Sequence, residues 1–76
     1  MNAPAHDRIN VALEGFSAVR SVVAASTNGT AVNALPVLNY EQGVLTCDVS
    51  GLPTGLWFID IRGPEKKLVL KLAVVR

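Results

Sequence analysis

The stretch "DVSGLPTGLWFIDI", Asp48 to Ile61, decides the fold. Gly51, Pro53 and Gly55 interrupt regular structure there, each through its backbone preference. Yet Leu52 sits inside the break, where a polar residue is usual. The chain then alternates from Leu56 to Arg62, with Trp57, Ile59 and Ile61 on one face and Asp60 and Arg62 on the other. A greasy residue in a turn followed by such a strand suits a connection that crosses between two sheets beneath a shared core. Leu52 is then expected to plug the end of the sandwich. Trp57 is expected to open the next strand and donate its indole N–H to the crossing backbone. Asp48 and Ser50 are placed to cap nearby N–H groups.

Working outward, almost every other segment also reads as strand. Upstream, Val44 to Val49 alternates, with Leu45, Cys47 and Val49 pointing inward. Tyr40-Glu41-Gln42-Gly43 before it reads as a turn. Thr30 to Leu38 reads as one strand that Pro36 interrupts, as at an edge or a bulge. Asn28-Gly29 is the strongest short hairpin signal, since both residues tolerate the positive φ of a type I′ turn. With Thr30 it also spells a glycosylation sequon, but the turn accounts for these residues fully. Ala18 to Ala25 is ambiguous: its alanines allow a helix, while Val19, Val22 and Val23 favour a strand. Ile9 to Leu13 places Ile9, Val11 and Leu13 on one face.

Downstream, Arg62-Gly63-Pro64-Glu65-Lys66 is a charged turn. Leu68, Leu70, Leu72 and Val74 then line one face of a last strand, opposite Val69, Lys71, Ala73 and Val75. Six or seven short strands with turn signals about every 8–12 residues predict an all-β fold, an immunoglobulin-like antiparallel β-sandwich.

Composition narrows what such a sandwich can do. The chain has 76 residues, enough for one small domain. Half are hydrophobic, so a core is available, and the net charge of +1 gives no footprint for nucleic acid. Cys47 is the only cysteine and His6 the only histidine, so no internal disulfide or histidine cluster can staple the fold. The apolar core must carry it. No apolar run approaches the roughly 20 residues of a spanning helix, so direct membrane insertion is not expected. Residues 1–15 contain His6, Asp7, Arg8 and Glu14 and no apolar segment of the kind a signal peptide needs.

The residues offer little for catalysis. A nucleophile needs a base, and the base needs a group to orient it. Cys47 lies on an inward face and reads as a structural core residue. His6 reads as solvated in the tail. Asp7, Glu14, Glu41, Asp48, Asp60 and Glu65 are dispersed, and no glycine pattern suits a phosphate. No catalytic site, cofactor or metal is expected.

Residues 45–76, "LTCDVSGLPTGLWFIDIRGPEKKLVLKLAVVR", resemble the C-terminal half of a type IX secretion sorting domain, found on exported proteins of Bacteroidetes. Asp48, Val49, Ser50, Leu52 and Gly55 match the family's crossing, with Trp57 where tyrosine is usual. Lys71, Val74 and Val75 match its terminal element, and Arg76 follows closely. The N-terminal half fits more loosely. Pro4, Asp7, Ile9 and Val11 match the opening box and strand, while Asn2 and Ala3 depart from it. Residues 22–32, "VVAASTNGTAV", resemble the strand, glycine turn and strand that come next.

The resemblance implies one C-terminal sorting domain over residues 1–76, with 1–8 as a tail or linker end and 9–76 as the sandwich. It implies a non-catalytic address that takes an N-terminal cargo through the outer-membrane type IX translocon. A surface sortase then typically removes the domain upstream of the sandwich, near Pro4. The cargo passes through the periplasm and reaches the outer-membrane surface or the medium. Lys71, Val74, Val75 and Arg76 are the expected translocon contacts, since a lysine amid an apolar strand either snorkels, pairs with an acid or is read by a receptor. The other reading that fits the residues is an immunoglobulin-like or fibronectin-like structural module that binds protein or glycan.

Overall fold

The computed structural model describes residues 7–29 and 32–75. Pro4, His6, Thr30, Ala31 and Arg76 lie outside the described residues. Seven strands form: β1 Arg8–Ala12, β2 Ser21–Ser26, β3 Val32–Ala34, β4 Val37–Glu41, β5 Val44–Asp48, β6 Gly55–Arg62 and β7 Lys67–Val74. They make two antiparallel sheets, ordered β1-β5-β4 and β3-β2-β6-β7. The fold is the all-β sandwich of immunoglobulin-like type that the alternation predicts.

Strand alternation builds the core. Leu45, Cys47 and Val49 from one sheet face Val22, Ala24, Trp57, Ile59, Ile61, Leu72 and Val74 from the other, all buried. Each large side chain withdrawn from water contributes about 1.5–3 kcal/mol before entropy is counted. No charged or polar side chain among the described residues is buried with them.

The chain follows a simple rule. Hairpins β2-β3, β4-β5 and β6-β7 stay within a sheet, and the three remaining connections cross between sheets. Each crossing carries a buried leucine: Leu13 between β1 and β2, Leu35 between β3 and β4, and Leu52 between β5 and β6. β1 and β4 both run antiparallel to β5, so Leu35 and Leu52 close one end of the sandwich and Leu13 the other. Leu52, only 2% exposed, is the plug its position predicts.

Four local readings are corrected. The Asn28-Gly29 turn is not type I′. The Ser26 carbonyl accepts from the Gly29 N–H, which puts Thr27 and Asn28 at the corner, and only Gly29 has positive φ (+76°). Among the described residues β2 and β3 pair from Val23–Ala34 to Ala25–Val32. The type I′ geometry lies instead at Gln42-Gly43, with φ of +52° and +77°, between the paired Glu41 and Val44. Tyr40 and Glu41 therefore belong to β4, not to the turn. Finally, residues 32–38 are not one strand. Leu35 and Pro36 carry the chain from one sheet to the other, because proline lacks the N–H a continuing ladder needs. The segment read over Ala18 to Ala25 is strand only from Ser21.

Candidate functional site

The crossing that leads into β6 is fastened by its own residues. The Asp48 carboxylate accepts from the Ser50 N–H at 2.8 Å, and the Leu52 N–H donates to the Val49 carbonyl at 3.0 Å. Together these form a tight side-chain-capped turn. Gly55 stands at φ +154°, a conformation L side chains rarely adopt, so the glycine serves the backbone. Trp57 Nε1 donates to the Pro53 carbonyl at 3.1 Å while its ring lies in the core. The indole therefore ties the crossing to the strand that follows, as its position predicts. At the far end a second aromatic acts likewise. The Tyr40 hydroxyl donates to the Phe16 carbonyl and holds the first crossing. Reading Tyr40 as part of a turn misses this role.

These residues form the frame. The candidate contacts lie on β7, an edge strand with β6 on its inner side. Leu72 and Val74 point into the core, and Leu70 is half-buried against it. Val69, Lys71, Ala73 and Val75 are exposed on the other face. Val74 is thus separated from Lys71 and Val75 by the sheet itself. Lys71 sits across from Phe58, and Val69 across from Asp60. The Asp60 carboxylate is engaged by Arg62 at 3.2 Å, which raises the guanidinium pKa chiefly through the hydrogen bond.

The face around Lys71 is apolar. Leu56, Phe58 and Val69 are 49%, 40% and 51% exposed. Ala25 and Val32 continue the row from Phe58, and Val23 and Ala34 continue the row from Asp60. The opposite outer face is more polar, with Arg8, Asn10, Asn39, Glu41, Thr46 and Asp48 on β1, β4 and β5, beside the exposed Val37 and Val44. Thr46 and Asn10 hydrogen-bond across it at 2.7 Å. The two outer faces of the sandwich therefore differ, the one around Lys71 being the more apolar.

Such a two-sheet domain, with a fastened crossing and an edge strand open among the described residues, defines the class of immunoglobulin-like sandwiches, and the fold alone does not assign a function. The family model for the secretion system C-terminal sorting domain matches residues 3–75, nearly the whole chain. The chain belongs to this family, whose members are C-terminal sorting signals for type IX secretion. A sorting domain of this kind directs an attached cargo to the secretion machinery and out across the outer membrane. No curated protein and no solved structure shows a significant match.

Proposed function

We propose that the domain is a folded, non-catalytic address that the type IX translocon reads at β7. The observation that carries this reading is the placement of Lys71 at the centre of an exposed apolar face on an edge strand. Lys71 and Val75 meet the machinery directly, and Arg76 beyond them extends the same contact. Val74 contributes from inside, because its side chain anchors the end of β7 in the core. Pro4, Asp48, Ser50, Leu52, Gly55 and Trp57 make no contact; they hold the domain together or lead into it. A surface sortase then cuts upstream of β1, and the cargo is freed at the cell surface or anchored there.

The test fuses residues 1–76 to the C-terminus of a fluorescent reporter that carries a signal peptide, in a bacterium with a working type IX pathway. Export of the wild-type fusion and periplasmic retention of Lys71→Ala, at equal fusion stability, are the expected results. An intact wild-type fusion held in the periplasm refutes the sorting role. Normal export of Lys71→Ala removes the lysine from it.

A further inference from the structure

An open sheet edge offers unpaired N–H and C=O groups to any extended chain, and folded proteins usually blunt such edges. Three of the four edges here are blunted. Among the described residues β3 spans three, Val32–Ala34. β4 slips register between Val37 and Asn39. β1 is short and carries Arg8 and Asn10 outward. β7 differs from all three. It has eight residues and pairs with β6 at every position from Gly55–Val74 to Arg62–Lys67, without a bulge. Among the described residues no strand lies on its far side. Among the described residues its guards are Lys67 and Lys71.

The charges around this edge are one-sided. Lys67, Lys71 and Arg62 lie on it or beside it, and the two described acids nearest it are engaged, Asp60 by Arg62 and Glu65 by the Ser17 hydroxyl. No described acid stands across from Lys71 or beside it on β7. We propose that β7 accepts an extended segment of a protein partner as a fifth strand of the β3-β2-β6-β7 sheet. The segment alternates apolar residues, which continue the Phe58-Val69 face, with a carboxylate placed opposite Lys71. The inference rests on the sorting reading, which makes the partner a component of the export machinery.

Two other occupants fit less well. A second copy of this chain brings the same lysine-bearing edge, and like charges facing each other across strands are destabilising. A lipid surface could take up Leu56, Phe58 and Val69 but offers no groups that match a row of main-chain donors and acceptors. A partner strand satisfies both the main chain and the lysine.

The test titrates the 15N-labelled chain with three acetylated and amidated octapeptides of alternating valine and threonine. They carry glutamate, glutamine or lysine at one central position. The glutamate peptide should shift the amides of Val69 to Ala73 and bind about five-fold tighter than the lysine peptide, the ratio expected of one cross-strand charge pair. Lys71→Glu should invert that preference and Lys71→Gln should erase it, each with circular dichroism showing a folded domain. Equal binding of the three peptides overturns the proposal. So do no binding, shifts confined to β1, β3 or β4, or tighter binding to phosphatidylglycerol vesicles than to the glutamate peptide. Export of the reporter fusion is read separately. Failed export with intact peptide binding refutes the sorting role alone, and intact export without peptide binding refutes the added strand alone.

Discussion

Cys47 occupies the middle of β5, with no exposed surface, between Leu45 and Val49. At this position the side chain acts as a small hydrophobe. Burial pushes its thiol pKa above the ordinary 9.0, because the thiolate would lose its water. The consequence for stability has a definite sign. Above about pH 9 the unfolded chain releases a thiol proton that the folded chain retains, so folding weakens as pH rises. The contribution is fully present below the unfolded pKa and is lost as pH climbs toward the folded value. Its slope is at most about 1.4 kcal/mol per pH unit. Urea unfolding of the wild type and Cys47→Ala from about pH 7 to about pH 10.5 measures it. The wild type should lose more stability than the variant over the alkaline half of the range. Parallel curves would mean that the thiol ionises equally easily in both states.

At the scale of elements, the three crossing leucines set the architecture. Replacing one by alanine removes a buried plug and should cost about 2–5 kcal/mol, because the ends of a sandwich collapse poorly onto a void. Their placement predicts how the losses combine. Leu35 and Leu52 border one groove, together with Pro36 and Gly51. Leu13 lies at the other end, about five strand residues or ~17 Å away. Losses from Leu13→Ala and Leu52→Ala should therefore add within about 0.5 kcal/mol, whereas Leu35→Ala and Leu52→Ala should deviate from additivity by more than that. Chemical denaturation of the single and double variants decides the matter. Equal coupling in the two pairs would contradict the assignment of plugs to ends.

These elements also show how far a sequence can be read. Leu52 and Trp57 were legible because a leucine in a Gly/Pro turn and an indole at the start of an alternating strand each break an expectation in a way only burial explains. Leu13 and Leu35 break none. Leu13 continues the alternation of Ile9 and Val11, and Leu35 sits among residues that read as one strand, so nothing local marks them as crossings. The hairpin signals misled for a related reason. Asn28-Gly29 has the preferred residues for a type I′ turn, yet tertiary pairing gives that geometry to Gln42-Gly43. The inward face of β7 was legible from its leucines. The apolar outer face was not, because it joins residues from four strands whose order no local pattern reveals.

At the scale of the whole molecule, the two outer faces and the four edges have to keep the domain apart from its own copies while leaving one side open. The polar face and three of the edges are closed by hydrogen bonding, a bulge and short length. The β7 side relies on charge alone. Lys71 lies on the outer face beside Phe58, and Lys67 stands at the start of the same edge. If these two lysines are what prevents edge-to-edge pairing, removing them should convert β7 into an unguarded, eight-residue, regular strand of high β-propensity. The double variant Lys67→Thr with Lys71→Val should therefore self-associate as its concentration rises, while the wild type sediments as a monomer. Analytical ultracentrifugation reads the difference. The matched variant Arg8→Thr with Asn10→Val, which makes the β1 edge similarly apolar, separates edge pairing from a general rise in stickiness. That variant should stay monomeric, because β1 is only five residues long and gives a partner too few main-chain groups to pair with. Association of both variants to the same extent would point to bulk hydrophobicity, and a monomeric β7 variant would show that something other than the lysines guards the edge.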